Sequence, residues 1–368
     1  MHLYIHVPFC ATKCPYCAFY SVTDAPQRFI REYPRALVRE LEARNLADAP
    51  IETLYIGGGT PSLLGADGIR ELFQTLRRTA SGLRHAKEIT VELNPADITP
   101  ELAAALAENG VTRASIGAQS FDDATLRILG RRHDSATARM AESTLRHAGI
   151  PALSIDLIAA VPEAPLGAFA RSLEAAVALA PEHISVYPLS IEEGSRFAAQ
   201  SRAPATDDAA MDELSSAEDF LCANEYERYE ISNYRKSGTP GCLHNIAVWQ
   251  GADYAGIGAA AASRQGLERR INATDWRQWS EANAPTPNAP QFQSEILTPV
   301  EDEQERFLTG IRLSSGLSPD PATALGRRRI ESCERLIRAG VMRALGGGVY
   351  TLTRRGREVA DSVAAELC

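Results

Sequence analysis

Two periodicities alternate along the first half of the chain: short β-rich runs, and longer runs with apolar residues at helical spacing. The short runs predict six strands, at His2–Val7, Thr53–Ile56, Ile89–Leu93, Arg113–Ile116, Leu153–Ile158 and His183–Tyr187. The longer runs predict helices between them, for example at Phe29–Asn45, Ile69–Thr79, Pro100–Glu108 and Leu166–Leu179. One helix between successive strands is the pattern of parallel βα units. Six such units predict an α/β fold that forms most of a barrel, a partial (β/α)6 barrel.

The first strand has one polar and one apolar face. The period of two places His2, Tyr4 and His6 on one side and Leu3, Ile5 and Val7 on the other. In a barrel strand the apolar face packs against the outer helices, and the polar face reaches the interior, where ligands bind at the carboxyl ends of the strands. Functional side chains are therefore expected just after the predicted strands.

The pattern changes after about residue 200. Ala205–Asn224 is predicted to be helical and Arg228–Asn233 to be a strand, while the Gly/Ala-rich run Gly251–Gly266 permits close approach of the backbone to a ligand or another strand. The proline-rich stretch Ala282–Phe292 is predicted to be a linker or an extended loop. From about Thr298 the pattern predicts helices around a β-hairpin.

The hairpin is predicted at Met342–Leu345 and Val349–Leu352 around a triple-glycine turn, with a final helix from about Arg355. Helices with a hairpin indicate a winged-helix-like α+β domain. The predicted organisation is therefore a barrel over 1–200, a barrel extension and connecting region over 201–297, and the C-terminal domain over 298–368.

Composition and charge narrow the class of protein. The 368 residues are 45% hydrophobic, and no run reaches the ~18 apolar residues that a membrane span needs. The net charge of −9 argues against a general nucleic-acid-binding protein. The C-terminal domain has 11 arginines and 10 acidic residues, a balance that favours a structural or protein-contact role over DNA binding.

Seven cysteines are present, three of them within eight residues. An odd count without a signal peptide indicates a reducing compartment, so the cytoplasm is expected. The cluster has the spacing Cys10-x3-Cys14-x2-Cys17, and three thiolates on one short loop can hold three irons of a [4Fe–4S] cluster, with the fourth iron open. The alternative is a zinc site completed by a distant Cys or His.

Two segments carry a resemblance to a known family: Tyr4–Ser21, which contains the cysteine loop, and Gly57–Ser62, a glycine run that follows the second predicted strand. Together they resemble the radical S-adenosylmethionine (SAM) superfamily. Within the superfamily the chain resembles the oxygen-independent coproporphyrinogen III oxidase group, and most closely its haem-chaperone branch. The resemblance covers nearly the whole chain, with further matching segments at Glu92–Pro95, Ser115–Phe121, Leu129–His133, Asp156–Ile158, Tyr229–Tyr234 and His244–Asn245.

The resemblance implies a [4Fe–4S] cluster held by the three cysteines and SAM bound to the open iron. It places Tyr4 near both, and Gly58, Gly59 and Thr60 against the methionine moiety. The ribose, the carboxylate or adjacent polar groups of SAM would contact Glu92, Gln119, Arg131 and Asp156. From the residues alone other interpretations stay open: a tight βα turn for the glycines, strand-end caps for the carboxylates, a solvated helix end for Arg131, and backbone hydrogen bonds for Gln119.

Two branches of the group compete for the function. The oxidase branch normally has a further cysteine two residues after the third, and here that position is Phe19. This favours the haem chaperone, which binds haem as cargo and delivers it to acceptor proteins; the alternative is an oxygen-independent coproporphyrinogen III oxidase, which forms protoporphyrinogen IX by radical oxidative decarboxylation. A third hypothesis is a non-catalytic scaffold whose cluster only orders the loop.

The haem candidates come from the segment His244–Trp249. The chaperone branch usually has HNxxYW here, and this chain has Val248 in place of the tyrosine. Histidine is a standard axial ligand of haem iron, and Cys242 offers an alternative thiolate. The alternative interpretation is that His244 lies in a surface loop and binds no metal. The resemblance also implies an electron donor and haem-acceptor proteins as partners, allows a membrane-protein acceptor, and leaves both a monomer and a homodimer open.

Overall fold

The computed structural model describes residues 1–282 and 292–367. Residues 283–291 of the predicted linker and Cys368 lie outside this part of the chain.

A twelve-stranded sheet forms the centre of the described structure. Its strands lie in the order β12-β11-β10-β9-β1-β2-β3-β4-β5-β6-β8-β7. Their bounds are β1 His2–Val7, β2 Thr53–Gly58, β3 Glu88–Leu93, β4 Arg113–Gln119, β5 Ala152–Ala159, β6 His183–Pro188, β7 Tyr226–Arg228, β8 Asn233–Lys236, β9 Tyr254–Ile257, β10 Ala262–Gln265, β11 Glu268–Asn272 and β12 Phe292–Ile296. Strands β1 to β6 pair in parallel, which confirms the predicted βα barrel units.

Helices connect the parallel strands and continue beyond them. Their bounds are α1 Gln27–Ala43, α2 Gly65–Thr79, α3 Pro100–Glu108, α4 Asp123–Ile128, α5 Ser135–His147, α6 Ala168–Ala178, α7 Arg196–Ala199, α8 Asp207–Ala223, α9 Leu243–Trp249, α10 Trp276–Ala282, α11 Pro299–Gly310, α12 Ala324–Arg338, α13 Arg354–Glu358 and α14 Ala360–Leu367. Short 3-10 helices lie at Pro61–Leu64, Ser81–His85 and Pro95–Asp97.

The largest apolar cluster lies between the outer face of the sheet and the helices. In β1 the side chains of Leu3, Ile5 and Val7 are fully buried in this cluster. The alternate residues of the same strand are polar, and they face the barrel interior beside their β2 partners, Tyr4 next to Tyr55 and His6 next to Gly57. The period-two prediction for β1 is therefore confirmed, and it defines a polar interior.

The sheet continues past the barrel on both sides. Strand β9 pairs in parallel with β1, and the antiparallel strands β10 to β12 extend this edge. The Gly/Ala-rich run lies close to another strand, β1. A Cβ on Gly258 would lie 2.4 Å from the carbonyl oxygen of His6. The region 201–297 thus adds strands to the barrel sheet.

The predicted strand Arg228–Asn233 is wrong. The chain here turns between β7 and β8, which pair with each other. Glu230 is fully buried in the turn, and its carboxylate accepts hydrogen bonds from the backbone nitrogen of Ser232, at 2.6 Å, and from the side chain of Asn233. A side-chain acceptor inside the segment therefore replaces ladder pairing.

The C-terminal part has an apolar cluster of its own. Helices α11, α12 and α14 pack with the hairpin of β13 (Met342–Gly346) and β14 (Val349–Leu352). This is the predicted combination of helices and a hairpin, with the final helix divided into α13 and α14. Ion pairs such as Arg354 to Asp219, at 2.7 Å, join it to α8. No helix of the described residues is long and apolar enough to cross a membrane.

Candidate functional site

The cysteine loop leaves the carboxyl end of β1 and is closed at its base. The backbone nitrogen of Cys10 donates to the carbonyl of Val22 at 2.9 Å, and the nitrogen of Val22 donates to the carbonyl of Pro8 at 2.7 Å. Within the loop, the nitrogen of Cys17 donates to the carbonyl of Cys14 at 3.1 Å. The three cysteines are partly exposed. The loop thus presents three accessible thiols from a backbone fixed at both ends.

Each cysteine has a different environment. Cys10 Sγ lies 3.4 Å from the hydroxyl of Thr60, and Cys14 Sγ accepts a hydrogen bond of 3.4 Å from Nη1 of Arg131. Burial raises the pKa of Cys17. Within the described ranges, no three His, Cys, Asp or Glu side chains converge as ligands of one metal ion. Three cysteines on one short loop are the donor set of a [4Fe–4S] cluster in which each cysteine binds its own iron and one iron stays open.

Close contacts within the chain require glycine at two positions of the run at the end of β2. Gly58 has a φ of +109°, and a Cβ there would lie 2.5 Å from the His6 ring. A Cβ on Gly59 would lie 2.7 Å from the carbonyl oxygen of Phe9. Only glycine allows the run to lie this close to β1 and the cysteine loop. The tight-turn interpretation therefore accounts for the glycines, and their contact with SAM stays a prediction.

Glu92 is held between β2 and the glycine run. Its carboxylate accepts hydrogen bonds from the hydroxyl of Tyr55, at 2.7 Å, and from the backbone nitrogen of Gly58, at 3.1 Å. Burial raises the pKa of Glu92 in spite of these donors. On β1, on the other side of β2, the hydroxyl of Tyr4 is hydrogen-bonded to Nδ1 of His6 at 2.9 Å, and burial raises the pKa of Tyr4.

Asp156 is held by hydroxyl groups of two neighbouring strands. Ser185 donates to its carboxylate at 2.7 Å and Ser115 at 3.0 Å. Burial raises the pKa of Asp156. Its side chain and that of Glu92 face the interior of the same barrel, where they can accept hydrogen bonds from a ligand.

Gln119 and Arg131 both lie at the carboxyl end of β4. Gln119 has a φ of +67°, an uncommon backbone conformation for a residue with a side chain, and it ends the strand. Arg131 donates from Nη2 to the carbonyl of Gly117 at 2.6 Å. The next residue, Arg132, pairs with Asp97 at 2.6 Å. Arg131 therefore faces the cysteine loop, while Arg132 has the partly solvated position expected of a helix end.

His244 and Cys242 lie at the opposite end of the barrel. His244 is 5% exposed at the start of α9, and its Nδ1 lies 2.9 Å from the hydroxyl of Thr53, the first residue of β2. Burial lowers the pKa of His244 to about 3. Cys242 is fully buried, and burial raises the pKa of its thiol to about 12. The expectation of a surface-loop histidine is wrong, because α9 covers the amino ends of β1 to β3.

The fold thus separates the predicted residues into two groups. The cysteines and the predicted SAM residues gather at the carboxyl ends of the parallel strands, whereas the haem candidates lie near the amino ends. Sequence reasoning gave no role to the residues that hold the site in place, although Ser115 and Gly117 lie in a segment that carried the resemblance. These residues are Tyr55, Ser115, Gly117 and Ser185 at the first end, and Thr53 and Glu88 at the second. Tyr55 and Thr53 share the inward period-two face of β2, a signal that the sequence contained.

Comparison with known proteins shows the family of the chain. The profile of the Radical SAM superfamily matches residues 4–176. Heme chaperone HemW of Mycobacterium tuberculosis (strain H37Rv) is 32% identical over 381 residues, covering 99% of this chain and 94% of that protein. The chain belongs to the HemW family of radical SAM proteins. Heme chaperone HemW of Escherichia coli (strain K12) is 35% identical over 264 residues, covering 71% of this chain and 69% of that protein.

A solved structure supports the fold of this HemW-family chain. Coproporphyrinogen III oxidase (HemN) from Escherichia coli, a radical SAM enzyme, matches with a TM-score of 0.84 and 22% identity, covering 99% of this chain and 89% of that structure. The predicted radical SAM barrel and the resemblance to the haem-chaperone branch are therefore confirmed. Membership of the superfamily implies a [4Fe–4S] cluster and SAM as cofactors.

Proposed function

We propose that this protein is a haem chaperone, which holds a [4Fe–4S] cluster and SAM at the carboxyl end of the barrel, binds haem as cargo and delivers it to acceptor proteins. The observation that carries the proposal is the match along 99% of the chain to a protein named as a haem chaperone. Phe19 supports it, because the chain lacks the fourth cysteine of the oxidase pattern at this position.

Cys10, Cys14 and Cys17 are the proposed cluster ligands. A bound cluster with three cysteine ligands supplies one open iron for SAM and an electron for its reduction. The chain supplies the scaffold, because hydrogen bonds at Val22 close the base of the loop and the Thr60 hydroxyl lies against Cys10. Fixing the three sulfurs before the cluster binds lowers the entropy that binding costs.

The proposed SAM site lies along the interior next to this loop. Glu92 is oriented by Tyr55 and Asp156 by serine hydroxyls, so each carboxylate has a fixed direction with remaining acceptor capacity. Tyr4, Gly58, Gly59, Thr60, Gln119 and Arg131 are proposed to complete it. Polar groups oriented in advance bind SAM with little reorganisation.

For haem, the structure favours His244 over Cys242 as the iron ligand. The burial that raises the pKa of Cys242 to about 12 disfavours a thiolate, whereas the burial that lowers the pKa of His244 to about 3 keeps its imidazole neutral, the form that binds metal. Since His244 is only 5% exposed, ligation by His244 requires α9 to move away from Thr53. The haem-binding state is therefore proposed to have an open α9.

The remaining parts of the proposal concern location and partners. An electron donor and a haem-acceptor protein are required partners, and the cytoplasm is the proposed compartment. The nearly balanced charge of 298–368 supports a structural or protein-contact role for the C-terminal domain. The division at residues 200 and 297 stays part of the proposal, since the same sheet crosses the first boundary.

The cluster is tested by anaerobic reconstitution. Wild type is expected to bind about four irons and four sulfides per chain, and a variant with Cys10, Cys14 and Cys17 all changed to alanine is expected to bind none. Cys222→Ala is the matched control, because Cys222 is an exposed thiol on α8. Equal iron and sulfide in wild type and the triple variant would overturn the proposed ligands.

The haem ligand is tested by haem titration of wild type, His244→Ala and Cys242→Ala. His244→Ala is expected to change the Soret spectrum and weaken binding at least tenfold, while Cys242→Ala keeps the wild-type spectrum. His147→Ala on α5 controls for loss of an exposed histidine. Identical spectra and affinities for wild type and His244→Ala would remove His244 as the ligand.

The choice between chaperone and oxidase is tested with the reconstituted protein, SAM, a reductant and coproporphyrinogen III. We expect no protoporphyrinogen above the level of the triple cysteine variant, and transfer of bound haem to an acceptor protein. Multiple-turnover formation of protoporphyrinogen would overturn the proposed function. Cleavage of SAM alone does not decide between the two classes.

A further inference from the structure

Cys14 differs from the other two cysteines of the loop in its hydrogen-bond donors. The guanidinium of Arg131 donates from Nη1 to Cys14 Sγ at 3.4 Å. The Tyr16 hydroxyl lies near enough to Cys14 and Arg131 to interact electrostatically with both. Cys10, in contrast, contacts the neutral hydroxyl of Thr60. Among the described residues, a charged donor reaches the sulfur of Cys14 alone of the three.

The position of Arg131 is fixed by a second hydrogen bond. Its Nη2 donates to the carbonyl of Gly117 in β4 at 2.6 Å, so the guanidinium bridges the barrel sheet and the cysteine loop. Its Nε is buried without a hydrogen-bond partner in the described part of the chain. The Arg131 charge is therefore anchored to the rigid sheet rather than free to follow a mobile loop.

The turn before Arg131 fits the backbone of the cysteine loop. Gly130 has a φ of +64°, and a Cβ there would lie 2.7 Å from Cδ of Pro15. The carbonyl of Pro15 also accepts a hydrogen bond of 2.9 Å from the backbone nitrogen of Phe197. The segment from Cys14 to Tyr16 is thus held from two sides, by the turn at Gly130 and by the start of α7.

Tyr16 is itself held by packing. Its ring packs against an apolar cluster formed by Leu129, Ile158, Val161, Leu189 and Phe197. This packing holds the ring beside Cys14, with which its hydroxyl interacts electrostatically. One charged donor, Arg131, therefore reaches the Cys14 sulfur, and the neutral hydroxyl of the packed Tyr16 lies beside it.

Resting on the proposed cluster, we propose that Arg131 and Tyr16 raise the reduction potential of the [4Fe–4S] cluster through the sulfur of Cys14. Reduction adds one electron and thus one negative charge to the cluster. A fixed positive charge and hydrogen bonds to a ligating sulfur stabilise the more negative, reduced form more than the oxidised form. Arg131 is in this role a positioning residue that acts through Cys14, whether or not it also contacts SAM.

The experiment is a redox titration of the reconstituted full-length protein without SAM, monitored by the electron paramagnetic resonance signal of the reduced cluster. Leaving SAM out separates this role from any contact between Arg131 and SAM. Arg131→Gln is expected to make reduction about tenfold less favourable, a shift of about −59 mV for one electron. Arg131→Lys, which keeps the charge, is expected to shift less, and Tyr16→Phe to shift a smaller amount in the same direction.

Arg132→Gln is the matched control, because Arg132 is the next residue and pairs with Asp97 away from the cysteine sulfurs. It is expected to keep the wild-type potential. Iron and sulfide are measured in every sample, and Tyr16→Phe decides the question if Arg131→Gln fails to load. Wild-type potentials in loaded Arg131→Gln and Tyr16→Phe would overturn the inference and leave the haem-chaperone proposal intact; failure of wild type to bind a cluster would overturn the proposed cluster itself.

Discussion

The imidazole of His244 lies 2.9 Å, from Nδ1 to Oγ1, from Thr53 at the amino end of β2. The histidine of the His-Asn pair is therefore part of the barrel floor. On its other side Thr53 lies 2.9 Å from Nδ1 of His2, so two histidines share one hydroxyl. The position of α9 over the barrel buries His244, and this burial disfavours protonation of the imidazole.

This burial predicts a pH dependence of stability. Burial lowers the pKa of His244 from 6.5 to about 3 in the folded protein. Between these values the unfolded chain binds the additional proton, so stability is present above pH 6.5 and falls as pH decreases toward 3. His244→Asn is expected to reduce the slope of unfolding free energy against pH by up to about 1.4 kcal/mol per pH unit.

Urea unfolding between pH 4.5 and 6.5 measures that slope, in the range on the acid side of the ordinary histidine pKa. His147→Asn, at an exposed position on α5, tests the substitution itself. Parallel stability curves for wild type and His244→Asn would show that His244 is protonated without loss of the fold.

Glu88 is predicted to hold α9 against the barrel. Its carboxylate accepts hydrogen bonds from the backbone nitrogens of Leu243, at 2.8 Å, and His244, at 3.0 Å. Glu88→Ala leaves the buried His244 donor and the partly buried Leu243 donor without an acceptor, which is expected to cost about 1–3 kcal/mol of unfolding free energy. Glu52→Ala, at an exposed glutamate paired with Lys87, should change it by less than about 0.5 kcal/mol. Equal losses in the two variants would contradict the prediction.

Gly130→Ala is predicted to reduce cluster binding. The new Cβ would lie 2.7 Å from Pro15 and would displace the segment that carries Cys14. Gly149→Ala is the matched control, because Gly149 also has a positive φ, +85°, but has open space at its Cβ. Backbone strain costs both variants about 1 kcal/mol or more, so only a specific loss of iron and sulfide in Gly130→Ala reports on the loop. The prediction fails if both variants bind iron equally.

Tyr55→Phe is predicted to weaken SAM binding. Glu92 loses one of its two hydrogen-bond donors, and its orientation becomes less defined. Loss of about 0.5–1.5 kcal/mol corresponds to a Kd increase of roughly two- to tenfold. Calorimetric titration of SAM into the reconstituted protein measures it. Tyr226→Phe removes a hydroxyl that bonds to the carbonyl of Pro181 in another part of the sheet, and it should bind SAM as wild type does.

The sequence was sufficient for the parallel strands because an apolar outer face and a polar inner face give them a clear period-two pattern. In β1 the apolar and polar alternation predicted both the outward Leu3 and the inward Tyr4. The pattern failed at Arg228–Asn233, where an aromatic and β-branched run resembles a strand although the buried carboxylate of Glu230 makes it a turn. Short polar hydrogen bonds of this kind have no periodic signal.

The sequence also could not predict contacts between segments that are far apart along the chain. The motif at His244 was visible in the sequence, but its position depends on Thr53, 191 residues away. Likewise the Leu129–Arg131 motif was visible, whereas the hydrogen bond from Arg131 to Cys14 joins residues 117 positions apart. A one-dimensional pattern predicts elements and motifs, and only the packed fold shows which of them meet.

The pairing of β1 with β9 also has a consequence for biosynthesis. The two strands pair from His2 with Tyr254 to Ile5 with Ile257. The edge of β1 that faces β9 therefore stays unpaired until the chain has been synthesised to Ile257. The other edge of β1 can pair as soon as β2 has been synthesised. An unpaired edge is a template for association with other nascent chains. In an unfinished chain, the unpaired edge of β1 is therefore the place where association with other chains is expected.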